Sequence, residues 1–250
     1  MNTMILDYLY KDKMRHAYVI KALEEQSRDF ELVKDENDQK NFAAVWHQDS
    51  IVSLSGDRVW CQRVFDYYYG RYDYFDMESD LLHNLINTHQ ENLKKTFDDT
   101  PSSSKHRQPD YAMETHFLMK LNLDFDIKGV TSKSVCNEIK PIIKRVSMVK
   151  NTSRYQLVEP NGRVLGTLLV ERAAGDLHIL SEILIHKQFR GRGLGLYFVK
   201  NLITKIQSAT TETEEFILYV DEDNTPALNL YKTLGFEVIG TYKNLILNQD

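Results

Sequence analysis

The chain has 250 residues, 42% of them apolar and 27% charged, with a net charge of −5 at pH 7. That length can bury a sizeable core in one or two domains, and the composition is that of a folded globular protein. The acidic balance offers no global attraction to nucleic acid, and no run approaches the ~18 apolar residues of a membrane span.

Two cysteines, Cys61 and Cys136, stand far apart in no metal or redox pattern and read as reduced thiols. The segment Met1–Asp7 has neither a basic stretch nor a long apolar run, so no signal peptide is expected and the location reads as cytoplasmic. Residues 4–25 carry Leu6, Leu9, Tyr10, Met14, Ala17, Tyr18 and Leu23 at mostly helical spacing, broken near Asp12. Phe42–Trp46 and Ile51–Leu54 are predicted as a hairpin around Gln48-Asp49. Val64–Phe75 is dense in aromatic rings, which reads as a packing surface or core strand, or as an acceptor pocket or partner surface. Met77–Phe97 has Leu81, Leu82, Leu85, Ile86 and Leu93 on one side of a predicted helix.

Asp98–Asp110 holds two of the five prolines, three consecutive serines and no apolar residue. It is predicted to be a linker, dividing the chain into a lobe at 1–98, a linker at 99–110 and a second domain at 111–250. Beyond it, Met113–Leu123 is predicted as a strand and Ser134–Met148 as a short helix, complicated by Pro141. Arg154–Glu159 and Arg163–Arg172 flank Asn161-Gly162, a strong hairpin signal. Ala173–Asp176 turns the chain into a further strand at Leu177. Later come a strand at Glu215–Val220, a helix at Pro226–Leu234, and two last strands at Phe236–Ile239 and Tyr242–Leu247.

The rest is organised around Leu177–Leu202. An apolar run, Ile179–Ile185, ends in the basic, glycine-dense turn Arg190-Gly191-Arg192-Gly193-Leu194-Gly195, and a helical pattern follows with Leu196, Phe198, Val199, Leu202 and Ile203. Strand, glycine turn and helix together point free backbone N–H groups at one anion, and glycines remove the Cβ atoms that would block its approach. The turn lacks the third glycine of a dinucleotide fingerprint and the Gly-Lys-Ser/Thr of a P-loop. Alone it is a weak signal for a pyrophosphate site.

Three separated motifs sharpen it. The stretch Ile185–Gly195 resembles the signature of the GNAT superfamily of acyl-CoA-dependent N-acyltransferases, with Arg190, Gly193 and Gly195 on its Arg/Gln-x-x-Gly-x-Gly/Ala pattern. Leu218–Ala227 is similar to that family's next strand and Asn-x-x-Ala helix start, and Leu230–Phe236 to its Leu-Tyr-x-x-x-Gly-Phe segment. Lys187 stands where the family often has proline. The resemblance covers roughly residues 111–250. It implies an α/β fold with a mixed, mostly antiparallel central sheet flanked by helices, here preceded by a smaller α/β lobe. It also implies transfer of an acetyl group from acetyl-CoA to an amine by direct attack.

In residue terms, the resemblance implies that the backbone of Ile183, Leu184 and Ile185 pairs with pantetheine. Arg190, Gly191, Arg192, Gly193, Leu194 and Gly195 would hold the pyrophosphate, and Asn224 would contact the cofactor. Tyr231 matches the tyrosine that protonates the departing sulfur, a role suited to a phenol that is protonated at neutral pH. Asn224 alone reads equally as a helix cap, and Tyr231 alone as a core aromatic. Glu182 is the one carboxylate within the Leu177–Ile185 strand and a candidate base, its pKa expected to rise beside apolar neighbours. Strand alternation, though, sets it on the face opposite Ser181, unless a bulge changes the count. His178 reads as structural.

No metal is implied, since no His, Cys or carboxylate cluster has ligand spacing. The partner is an amine-bearing acceptor, small molecule or protein, with no nucleic acid and no membrane; a homodimer is compatible with this reading. The element order before residue 100 loosely resembles the degenerate N-terminal lobe of two-lobed GNAT proteins, which would not bind CoA. The competing readings are a catalytically silent CoA-binding or protein-interaction module, and an enzyme for a longer acyl chain.

Overall fold

The computed structural model describes residues 3–25, 30–34, 42–48, 51–69, 74–78, 81–89, 111–131 and 138–247. The segment predicted as a linker at 99–110 lies outside them. The chain divides into two compact units: Met1–His116 with Gly240–Asp250, and Phe117–Ile239.

The first unit opens with two short helices, α1 (Thr3–Tyr10) and α2 (Ala17–Glu24), interrupted near Asp12 as the apolar spacing indicates. Strands β1 (Phe30–Lys34), β2 (Phe42–Gln48) and β3 (Ile51–Gly56) pair antiparallel in sequence. Asp57 caps α3 (Arg58–Tyr68) by accepting from the Val59 and Trp60 N–H groups. Then come β4 (Tyr74–Glu78) and helix α4 (81–89). The helix predicted from Met77 thus starts later, because its first residues extend β4; residues 90–97 lie outside the description. The aromatic-rich segment is a helix end and a strand start. Phe65 and Phe75 are fully buried against each other, with ring centroids 4.9 Å apart. Cys61 shares this core, and burial pushes its thiol pKa up to about 12, so it is an inert packing residue.

The second unit begins within β5 (Tyr111–Leu121) and continues through a short 3₁₀ turn at Ile127–Gly129. Four strands then meander: β6 (Ile142–Val149), β7 (Thr152–Val158), β8 (Val164–Ala173) and β9 (Leu177–Ile185). All three pairings are antiparallel. The β7–β8 turn is the expected Asn161-Gly162 hairpin, with Arg163 N–H donating to Asn161 Oδ1 at 2.9 Å. Ala174 and Gly175 both take positive φ, which suits a tight hairpin between twisted strands. Helix α5 (Leu194–Gln207) carries the chain over to β10 (Glu215–Asp221), parallel to β9, and α6 (Thr225–Thr233) leads to β11 (Phe236–Leu247). Strand order in this unit is β11-β5-β10-β9-β8-β7-β6. The core lies between the sheet and α5, whose Leu194, Phe198, Val199, Leu202 and Ile203 recur at helical spacing and are buried.

Two sequence expectations are corrected. The helix predicted over Ser134–Met148 is a strand from Ile142 onward. Pro141 cannot sit inside a helix, and the β-branched Ile142, Ile143, Val146 and Val149 favour the extended chain. The two last strands are one, because Gly240 continues the strand without taking a left-handed φ. The half of β11 after Gly240 belongs to the first unit, where Tyr242–Ile246 pair with Tyr74–Glu78 of β4. Among the described residues no helix is long and apolar enough to cross a membrane.

His178, read as structural, forms a buried pair with Glu214: Nε2 and Oε2 are 2.7 Å apart and both residues are 7% exposed. The imidazole stacks on Phe216, with centroids 5.1 Å apart. Burial lowers the His178 pKa below the ordinary 6.5, outweighing the opposing pull of the Glu214 hydrogen bond. The folded state therefore holds this ring neutral while the unfolded chain protonates it near 6.5. The stability it confers is complete above that pH and is lost as pH falls below it. Thermal melts of wild type and His178→Gln from about pH 7.5 to about pH 5 are expected to diverge. Wild type should lose more stability on acidification than the variant, which keeps a donor for Glu214 but does not titrate.

Candidate functional site

Strand β9 is paired to β8 along most of its length but to β10 only at its start. The β9–β10 register runs from Leu177↔Glu215 to Leu180↔Leu218, although β9 continues to Ile185 and β10 to Asp221. The cause lies just beyond. Glu182 has φ +47, and the register with β8 shifts between Thr167 and Leu169, which is a β-bulge. A bulge bends and twists the strand that carries it. Holding a non-glycine residue at left-handed φ costs about 1–2 kcal/mol.

The bulge also changes which side chains share a face. Leu180 belongs to the core under α5, and Ile183 and Ile185 pack against that same core. Ser181 points the other way and donates from Oγ to Glu171 Oε1 at 3.0 Å. Alternation alone would set Glu182 opposite Ser181. Instead Glu182 pairs at 3.1 Å with Arg154 of β7, which aligns through Leu169 with Ser181. Ser181 and Glu182 therefore serve one face. The apolar surroundings expected for Glu182 are not what it has, since its side chain is 57% exposed and ion-paired. Glu171, on β8, is absent from the sequence candidates because cross-strand register joins it to Ser181.

Past Ile185, a 3₁₀ turn at Lys187–Phe189 leads into the glycine segment. Gly191 and Gly193 have φ of +75 and +79, conformations that glycine adopts without strain. Gly193 is the N-cap of α5 and supplies no side-chain hydrogen bond, so the first-turn N–H groups keep their positive end toward the turn. The Leu194 side chain is buried, and only its backbone can face an anion. A Cβ on Gly195 would stand 2.8 Å from Leu230 Cδ1 and 3.8 Å from Ile185 Cγ1. Here β9, α5 and α6 converge.

Cations surround this turn. Arg190 Nε donates to Ile185 O at 2.8 Å, one of its five N–H groups. Arg192 and Arg163 lie over the same Phe189 ring, 6.0 and 4.8 Å from its centroid. Arg163, from the β7–β8 turn, holds the Glu159 carboxyl below the usual carboxylate range through its hydrogen bonds. The Arg163 contribution is not visible from local sequence.

Asn224 is the N-cap of α6, its Oδ1 accepting from Ala227 N–H at 3.3 Å. Tyr231 lies on α6 with 7% exposure, its ring 5.9 Å from that of Phe236. Burial pushes its pKa up to about 12, so the phenol is protonated at neutral pH. Among the described residues, none forms a metal-ligand group.

The family model described as FR47-like protein matches residues 161–245, which span the bulged strand, the glycine turn and Tyr231. Structure comparison decides the architecture. A putative acetyltransferase of the GNAT family from Novosphingobium aromaticivorans matches with a TM-score of 0.55 at 15% identity, over 95% of this chain and 100% of that one. The chain has the fold of the GNAT superfamily. A tandem GNAT protein from the clavulanic acid biosynthesis pathway has a TM-score of 0.62 at 11% identity, covering 92% of this chain and 87% of its own. Among curated proteins, a mycothiol acetyltransferase of Mycolicibacterium vanbaalenii is 32% identical over 90 residues, or 33% of this chain. The match spans only 29% of that relative's length.

The bulge makes a stability test. Glu182→Val keeps a non-glycine, β-branched residue at left-handed φ and is expected to be less stable than Glu182→Gly by at least about 1–2 kcal/mol in denaturant unfolding. Glu182→Gly relieves the strain and forfeits only a half-exposed ion pair, so its change should stay within about 1 kcal/mol.

Proposed function

We propose that this protein is an N-acetyltransferase that moves an acetyl group from acetyl-CoA to an amine, with Tyr231 as general acid. The observation that carries the reading is an apolar strand edge, left by β10 after Leu180, that runs directly into an uncapped helix N-terminus flanked by arginines. An extended chain with amides at one end and a pyrophosphate at the other suits that sequence of surfaces. The acetyltransferase relative agrees with it.

The residues present fit acetyl-CoA. The backbone of Ile183, Leu184 and Ile185 would pair with pantetheine in place of a strand. The N–H groups from Arg190 to Gly195 would take the pyrophosphate, with guanidinium hydrogen bonds from Arg190 and Arg192. Asn224 starts the helix that bears Tyr231 and would border the same molecule. Acetyl-CoA supplies the activated acyl thioester. The nitrogen–carbon bond forms and the carbon–sulfur bond breaks; the nitrogen gives up one proton, which reaches solvent, and Tyr231 gives its proton to the sulfur and recovers one from solvent. The 111–250 domain carries all of these groups, and the 1–98 lobe would contribute no CoA contacts.

Thiol release from acetyl-CoA across a panel of primary amines tests the reading. Tyr231→Phe is expected to lower kcat at least about 10²-fold while leaving the Kd for acetyl-CoA within about twofold. An unchanged rate removes Tyr231 from the mechanism. Tight acetyl-CoA binding with no turnover of any amine would favour a silent binding module instead.

A second variant probes the cradle. Gly193→Val places a β-branched residue at φ +79, in the turn that would hold the pyrophosphate. Acetyl-CoA affinity by calorimetry is expected to fall at least about tenfold, about 1.4 kcal/mol. Affinity for dephosphorylated pantetheine, which lacks the pyrophosphate, should change far less.

A further inference from the structure

We propose that Ser181 and Glu171 form the proton-accepting pair of this site, with Ser181 meeting the amine and Glu171 acting through it. The inference rests on the acetyltransferase reading above. Ser181 is the first residue of β9 past the last β10 pair, so it stands where the two strands part. The bulge begins at the next residue. Its hydroxyl already donates to Glu171 Oε1 at 3.0 Å, across the β8–β9 pair. Both side chains are half-buried.

Glu182 shares the face but is placed differently. Its carboxylate meets the Arg154 guanidinium at 3.1 Å, and its side chain is 57% exposed. Of the described residues on the neighbouring strands, the other charged groups on this face are Arg154 of β7, Glu182 of β9, and Glu215 and Asp221 of β10, with Glu215 ion-paired to Lys120 of β5 at 2.8 Å. Arg172 and His178, which align with each other, lie on the opposite one.

A serine hydroxyl alone is too weak a base to take a proton from an amine, and a carboxylate behind it removes that barrier. As nitrogen bonds to the acyl carbon, its proton passes to Ser181 Oγ and the serine proton passes to Glu171 Oε1. The carbon–sulfur electron pair leaves with sulfur, which takes the Tyr231 proton. Net, one proton moves from the amine to Glu171 and one from Tyr231 to sulfur. Solvent exchange then restores both groups.

The test is the pH profile of kcat and kcat/KM for wild type, Glu171→Gln, Glu171→Asp, Ser181→Ala and Glu182→Gln. Acetyl-CoA and the best amine of the primary-amine panel serve as substrates, with acetyl-CoA affinity measured alongside. Glu171→Gln and Ser181→Ala are each expected to lose about 10²-fold in kcat near neutral pH, and to regain part of it at high pH, where the amine arrives deprotonated. Their double variant should be little worse than either, as for groups acting as a unit. Glu171→Asp should restore the shape of the wild-type profile, and acetyl-CoA affinity should hold within about twofold throughout. A wild-type profile in Glu171→Gln overturns the pair, as does a profile altered in Glu182→Gln and not in Glu171→Gln. Loss of acetyl-CoA affinity in both Glu171→Gln and Glu171→Asp assigns Glu171 to folding and also overturns it. Wild type without turnover on any amine overturns the acetyltransferase reading and the pair with it.

Discussion

A strand in the middle of a sheet normally has its backbone satisfied on both sides, and β9 has this only as far as Leu180. Leaving paired neighbours is costly for polar backbone groups, so a sheet opens in this way only where something holds it open. Here the bulge at Glu182 redirects the strand, and the strain is local and fixed. The opposite end of the same pair of strands is held shut, with His178 and Glu214 joined in the core beside Phe216. One end locked and the other splayed gives a wedge whose angle is set by packing.

The neighbouring elements preserve that wedge. Tyr197 on α5 donates from its hydroxyl to Pro141 O at 3.1 Å, and Lys200 donates to Lys128 O at 2.8 Å and also to Val130 O. The helix whose N-terminus faces the glycine turn is thereby tied to the segments before β6. Gly195 lets α6 come close, with Leu230 occupying the space a side chain would fill. A helix end can stabilise an anion only if it does not drift, and these contacts supply the rigidity.

Much of this was legible locally. Asn161-Gly162 marks a hairpin by its own conformational preference, and the glycines and arginines of 190–195 are contiguous, so turn, charge and helix start can be read together. The break near Asp12 follows from apolar spacing alone. What could not be read is set by partners distant in sequence. The identity of 142–149 as a strand depends on pairing with β7, and the continuity of β11 on pairing with β4 beyond Gly240. Counting alternate residues places Glu182 wrongly because one extra residue in β9 inverts the count. Glu171 carries no local signal, since its link to Ser181 exists only through register. The strand end and glycine turn at 183–195 could be read because they are one continuous stretch, whereas the face of Ser181 is assembled from β7, β8 and β9.

The course of β11 has a consequence for how the chain matures. The second unit is a single uninterrupted span, Phe117–Ile239, and can complete itself as soon as that span has been synthesised. The part of the first unit that precedes Phe117 lacks a strand until the second unit has been made, because β4 waits for Tyr242–Ile246. During synthesis β4 therefore presents an open, partly apolar edge for as long as the span between them takes to emerge, an interval in which association with other chains competes with folding. Loss of Tyr242–Ile246 would leave the bulged strand and the glycine turn intact and take from β4 its antiparallel partner.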